Sequence, residues 1–147
     1  MINPEILREY DIRGIYEESL TLNDIIEIGE KLSKIIHSNR SNKIIIGHDG
    51  RNSSLKIKNS LVDTFIKFGI DVIDISLIPT PISYFANKTY NIPNVIMITG
   101  SHNPKDYNGL KIIIDNKPFF SKNIKSLNDI DSSNLNYPKG ILSVSYT

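Results

Sequence analysis

Apolar residues recur along this chain with two different periods, and the periods alternate. Leu22, Ile25, Ile26, Gly29, Leu32 and Ile36 return at helical spacing, and Thr21 to Asp24 has the character of a capping box at the start. Lys43 to Ile46 is a short apolar run that ends at Gly47, which predicts a strand. Ile57, Leu61, Val62, Phe65 and Phe68 form the stripe of a second helix, capped by Ser53 or Ser54 and ended by Gly69. Asp71 to Ile75 predicts a second strand, and Pro79-Thr80-Pro81 opens a short helix reaching about Tyr90. Val95 to Ile98 and Leu110 to Ile114 predict a third and a fourth strand.

Helices alternating with strands predict a three-layer α/β/α sandwich with a mixed, mainly parallel sheet of about four strands. The loop before the fourth strand is too short for a crossover, so that strand runs antiparallel to the third or lies at the edge. The blocks Gly47–Arg51, Pro79–Pro81 and Gly100–Pro104 each follow a strand. Open α/β sheets place their ligands at the carboxyl ends of parallel strands, so one end of the sheet is expected to collect the chemistry. From Ser121 to Tyr137 the pattern decays into Ser, Asn, Asp and Lys, with a weak helix around Ile124 to Ile130. Gly140 to Thr147 alternates again, like the start of another strand.

Composition narrows the classes. With 147 residues the chain is about one domain long; 39% hydrophobic, 22% charged residues and a net charge of +1 describe an ordinary soluble protein. Its basic residues are spread without interleaved aromatics, which argues against nucleic acid. The absence of cysteine excludes disulfides and zinc–sulfur sites. The N-terminus carries no basic segment followed by an apolar core, and no apolar run approaches the roughly 20 residues of a membrane span, so a cytoplasmic location is expected. Arginine occurs only at positions 8, 13, 40 and 51. Two of these fall in the compact blocks Tyr10–Gly14 and Gly47–Arg51, where lysine could not replace the bidentate guanidinium fork.

The densest signal is Thr99-Gly100-Ser101-His102-Asn103-Pro104 followed by Asp106-Tyr107-Asn108-Gly109-Leu110-Lys111. A serine on a tight strand-to-loop turn is how a fold presents a nucleophile. By themselves Ser, Asn and Pro also make plain turns, Lys111 reads as a solvated strand-edge lysine, and Tyr10–Gly14 as an Arg-Gly turn before a helix. The whole string, however, resembles the phosphoserine loop of the α-D-phosphohexomutases, the phosphomannomutase/phosphoglucomutase family, in its form T-[AG]-S-H-N-P then D-Y-N-G-[LFY]-K. Tyr10-Asp11-Ile12-Arg13-Gly14 resembles the family's Y-D-I-R-G block. Gly47–Ser54 resembles its G-x-D-x-R-x-S-S, with His48 where many members have arginine, and Pro79-Thr80-Pro81 matches P-T-P.

The resemblance implies that Ser101 carries a phosphoryl group exchanged between hexose 1-phosphate and hexose 6-phosphate. It implies catalytic roles for His102, Lys111 and Arg13, and substrate or phosphate contacts for Tyr10, Asn103, Asn108, Arg51 and Thr80. Mg²⁺ is the implied metal, reached through the phosphate on Ser101, and a hexose 1,6-bisphosphate the implied activator. The resemblance covers the family's first domain only. Residues 1–137 are expected to be that domain, and 138–147 the start of a linker or strand toward an absent second one. The D-G-D-G-D-R metal loop is missing; the one D-x-D, Asp129-Ile130-Asp131, lacks glycines and reads as solvated surface. Incompleteness leaves two alternatives: a module completed by a separate polypeptide, or a non-catalytic, partner-binding remnant. It also predicts apolar surface, self-association, and a frayed or borrowed strand near Ile141–Tyr146.

Overall fold

The computed structural model describes residues 1–78, 86–133 and 135–144. The elements run β1 (Ile12–Ile15), α1 (Leu22–Ser38), β2 (Lys43–His48), α2 (Ser54–Lys67), β3 (Asp71–Leu77), β4 (Val95–Ile98), β5 (Tyr107–Ile114), β6 (Lys117–Pro118) and β7 (Leu142–Val144). Residues 86–90 are helical, while Pro79-Thr80-Pro81 and the helix start expected there lie outside the described residues. A short helix at Lys122–Lys125 and a 3-10 turn at Leu127–Asp129 replace the single weak helix expected over 124–130.

Among the described residues the sheet has seven strands in the order β1-β5-β4-β2-β3-β7, with β6 pairing the end of β5. This corrects the expected count of about four. The pairs β2·β3, β2·β4 and β3·β7 are parallel, and β1·β5, β4·β5 and β5·β6 antiparallel, so the sheet is evenly mixed. The largest miss is β1. Its Ile12-Arg13-Gly14-Ile15 reads as a turn because its ladder partners Leu110, Gly109, Asn108 and Tyr107 lie almost a hundred residues on, while close by there is an isolated bridge between Ile12 and Leu7. Gly109 permits that pairing, since a Cβ there would stand 2.0 Å from the Ile12 carbonyl oxygen. The fourth expected strand, now β5, is antiparallel to β4 as read, but β1 covers its other side and keeps it off the edge.

Alternate residues of the central strands feed two cores, as the period of a strand requires. Ile44, Ile46, Val72, Ile96, Ile98, Leu110 and Ile112 pack with Ile25, Ile28, Leu32 and Ile36 of α1 and with Ile57, Leu61 and Phe65 of α2. Ile45, Ile75 and Val95 point the other way, onto Ala86 and Ile92. Burying these side chains, at roughly 1.5–3 kcal/mol each, is what holds helices on both sides, the α1–α2 face having by far the larger core. The capping box is present: Thr21 Oγ1 accepts the Asp24 amide at 3.3 Å, and Asp24 accepts the Thr21 amide at 3.0 Å. Ile28 belongs to the buried face of α1, whereas Leu22 and Ile26 stay partly exposed.

Neither Ser53 nor Ser54 caps α2 with its side chain, which corrects the second capping expectation. Both hydroxyls are taken by Asn108, described below. At the far edge, β7 lies beside β3 with Ile141, Leu142 and Val144 exposed, near the equally exposed Leu77. The segment before it is tied down, because Tyr137 stacks on His37 at 3.6 Å between ring centroids. Lys31 Nζ donates to the Ile130 carbonyl at 2.6 Å, and Lys34 Nζ to that of Asp131. Through those two carbonyls the D-x-D stretch is strapped to α1, while the Asp131 carboxylate accepts from its neighbour Ser133.

Candidate functional site

β2 and β4 are adjacent and parallel, so the loops leaving their carboxyl ends meet. One begins at Asp49 and the other at Thr99. Asp49 Oδ2 accepts the Gly100 amide at 3.0 Å and the Arg51 Nε–H at 3.1 Å; Oδ1 accepts the Arg51 amide at 3.1 Å and the Ser54 hydroxyl at 2.5 Å. Burial pushes the Asp49 carboxyl up, but the hydrogen bonds from Ser54, the two amides and Thr99 outweigh it and hold the group below its ordinary value.

Arg51 then reaches into the second loop. Its Nη1 donates to the carbonyls of Pro104 at 2.5 Å and Tyr107 at 3.2 Å; its Nη2 donates to those of Ser101 at 3.0 Å and Asn103 at 2.8 Å. A guanidinium has one N–H on Nε and two on each terminal nitrogen, so every donor is satisfied within the protein. Arg51 is placed as the brace of the serine loop rather than as a free grip for a phosphate. The guanidinium lies over Gly100, where a Cβ would come within 2.2 Å of Arg51 Cζ.

Ser101 sits in the left-handed region with φ of 54°, its amide bound to Thr99 Oγ1 at 2.9 Å. Its hydroxyl has no hydrogen-bond partner among the described residues. Asn103 folds back on Gly100, with Nδ2 on its carbonyl at 2.9 Å. His102 is exposed and its imidazole is likewise unpartnered among the described residues. His48 is half-buried, its Nδ1 donating to the Asp49 carbonyl at 2.9 Å.

Asn108 is fully buried: Nδ2 donates to Ser53 Oγ at 2.8 Å and Ser54 Oγ at 2.9 Å, and Oδ1 accepts the Gly109 amide at 2.9 Å. It pins β5 to the start of α2 and has nothing left to offer a ligand.

The remaining expected residues gather elsewhere. Tyr10, Arg13 and Lys111 line a cleft of about 450 Å³ with Asp11 and Phe119. Arg13 faces Gly109 across β1·β5, so Arg13 and Lys111 project from the face opposite Ile12 and Leu110. Thr99 joins that row, because its amide donates to the Gly109 carbonyl at 3.0 Å. Arg13 is held by Asp11 at 2.7 Å, and the exposed ring of Tyr10 stacks near Phe120 at 6.3 Å. A second cleft, of about 610 Å³, runs between Asp49–Asn52 and Asn103–Asp106 on the other side of the loop. Thr80 lies outside the described residues. Asp49, Thr99 and Ser54 fall within the quoted motif blocks but carry no expected site role; the signal available for Asp49 is a carboxylate two residues before the arginine in Gly47–Arg51. Among the described residues no three His, Asp or Glu side chains gather as metal ligands.

The fold and this corner define a mixed-sheet α/β domain that presents a serine on a braced turn at the carboxyl end of a parallel strand. Comparison with known proteins places it further. Residues 4–133 match the family description "Phosphoglucomutase/phosphomannomutase, alpha/beta/alpha domain I". The chain is 35% identical over 136 residues to a phosphomannomutase/phosphoglucomutase of Pseudomonas syringae pv. tomato, covering 92% of this chain and 29% of that protein. It is 41% identical over 101 residues to a probable phosphoglucosamine mutase of Pyrococcus horikoshii, covering 69% and 22%. A solved phosphoglucomutase/phosphomannomutase family protein from Burkholderia thailandensis superposes with a TM-score of 0.90 at 28% identity, over 99% of this chain and 34% of that one. The chain belongs to the phosphoglucomutase/phosphomannomutase family and corresponds to its domain I. It spans about a third or less of the length of these relatives. No helix among the described residues is long and apolar enough to cross a membrane.

Proposed function

We propose that this chain is the phosphoserine-bearing domain of a hexose-phosphate mutase, with Ser101 as the residue that accepts and returns the phosphoryl group. The carrying observation is the contrast within one loop: four of its carbonyls are tied to Arg51, while the Ser101 hydroxyl is left unpartnered on a left-handed turn. A nucleophile needs that combination of a fixed backbone and a free oxygen.

In the forward step the Oγ–P bond of phospho-Ser101 breaks and a P–O bond forms to a hydroxyl of the sugar phosphate. The hydroxyl proton passes by way of Lys111 to the departing Ser101 Oγ, and the resulting sugar bisphosphate then returns its other phosphoryl group to Ser101. Arg13 and Lys111, projecting on one face beside the Thr99–Ser101 turn, are suited to neutralise the transferring phosphoryl oxygens, and Lys111 to move a proton. Tyr10 would border the sugar. His102 and Asn103 would flank the phosphate, with Asn103 also closing the loop.

A divalent cation, Mg²⁺ by family resemblance, would supply charge neutralisation at the phosphoserine. The described residues do not fit a complete site for it: Asp49, the carboxylate tied to the loop, is spent on four hydrogen bonds, and no acidic cluster stands beside it. The cation, the contacts to the sugar's other phosphate, and the sugar preference therefore belong to the part of the relatives' length that this chain does not span. Residues 138–147 would lead toward it.

The test is incubation of the chain with a hexose 1,6-bisphosphate and Mg²⁺, with phosphate located by peptide mass spectrometry, beside a Ser101→Ala control. Phosphate on Ser101 supports the proposal. Reproducible phosphate on another serine, with Ser101 bare, overturns it. A coupled mutase assay on the same sample separates a self-sufficient enzyme from one part of a mutase.

A further inference from the structure

We propose that Arg51 is a positioning residue for Ser101: it holds the serine in its left-handed conformation by collecting the loop's carbonyls onto one guanidinium, and so decides which backbone groups face the phosphoryl group. The functional half of this inference rests on the reading of Ser101 as the phosphoryl acceptor; the conformational half does not.

The carbonyls of Ser101, Asn103, Pro104 and Tyr107 all point at Arg51. Four carbonyl dipoles that converge in this way repel one another, and without a cation at their centre the arrangement is unfavourable. With Arg51 present the same dipoles are charge-assisted acceptors. Turning these oxygens inward has a second effect. The main-chain N–H groups of His102, Lys105 and Asp106 have no acceptor among the described residues, whereas those of Ser101, Asn103 and Tyr107 are used within the loop. An anion attached at Ser101 therefore meets a loop in which four carbonyls, that of Ser101 among them, are turned onto Arg51 and three main-chain donors are left free, an arrangement that favours phosphate.

Asp49 completes the device. It grips Arg51 through Nε and the Gly100 amide through the same oxygen, so guanidinium and loop are fixed to a single carboxylate at the end of β2. Ser101 would otherwise leave its positive φ, a conformation sterically unfavourable for an L-residue. Lysine cannot substitute, because one ammonium has neither the fork nor the number of donors.

The experiment is solution NMR on the full chain and its Arg51→Ala and Arg51→Lys variants, with phosphate uptake from a hexose 1,6-bisphosphate measured on the same samples. In the native chain Ser101 is expected to give the strong intraresidue HN–Hα cross-peak of positive φ, and the Arg51 Nη protons to resonate separately because their rotation is hindered. Both variants are expected to lose the Ser101 signature while core resonances stay in place. Ethylguanidinium added to Arg51→Ala should restore it, a rescue that a general loss of stability would not show. Uptake of phosphate should fall about a hundredfold in both variants, the scale of a misplaced reacting group. A Ser101 signature unchanged in a folded variant overturns the proposal. If Arg51→Ala does not fold, Arg51→Lys and the hindered rotation in the native chain decide it. Phosphate found reproducibly on another serine, with Ser101 bare, defeats the reading of Ser101, while the Ser101 signature in the variants decides the conformational half by itself.

Discussion

The carboxylate of Asp49 accepts the main-chain N–H of Gly100 at 3.0 Å, so the turn that ends β2 holds the residue just before Ser101. Two loops from adjacent parallel strands thus share one anion at their junction. The candidate site is stiff at its base, and the consequences for pH, mutation and activity follow from where each hydrogen bond goes.

Asp49 titrates below its ordinary value when folded, despite the opposing effect of burial. A depressed carboxyl contributes stability that is complete above the unfolded pKa and is lost as pH falls through the folded one. Unfolding free energy measured between about pH 2 and 6 should therefore fall on the acid side. In Asp49→Asn this acid limb should be shallower than in the native chain. An identical limb in both would remove Asp49 from the account.

Asn108→Ala should lower stability by about 1–3 kcal/mol, because it leaves the Gly109 amide without an acceptor inside the protein. The hydroxyls of Ser53 and Ser54 lose a donor as well. Urea unfolding should show a lower midpoint with an unchanged slope.

Ser101→Gly should raise stability by about 1 kcal/mol, since glycine adopts a φ of 54° without steric cost and the lost hydroxyl has no partner in the described structure. The same substitution should abolish phosphate uptake. Thermal unfolding alongside mass spectrometry reads both, and a fall in Tm would contradict the strain argument.

Gly109→Ala should cost about 3 kcal/mol or more, because the added methyl meets main-chain oxygen of Ile12 rather than a yielding side chain. The damage should centre on the β1·β5 pair, visible as faster amide exchange at Ile12 to Ile15 than in the rest of the sheet.

The elements with strong local signals were legible in the sequence. Both long helices, the strands β2 to β5, the capping box at Thr21–Asp24 and the placement of two motif blocks after parallel strands all follow from periodicity and caps. Local rules worked there because the pattern and the partner face lie in the same short stretch. They failed for β1, whose pairing depends on distant chain, for β6, two residues long and too short to show a period, and for the caps of α2, where Asn108 and Asp49 outcompete the helix end for the serine hydroxyls; β7 falls within the Gly140–Thr147 stretch whose alternation signals a strand.

By itself, the sequence determined which residues could carry chemistry: a serine in Thr99–Pro104, two arginines in compact blocks, and Lys111 in the string that follows. Only the tertiary structure decided how they divide. Arg13 and Lys111 line a cleft together because β1 pairs with β5. Arg51 and Asn108, which motif reading had set beside the phosphate, are spent on the protein's own carbonyls and hydroxyls. The physical reason is that a motif specifies donors and acceptors, whereas packing fixes which partner each one reaches first.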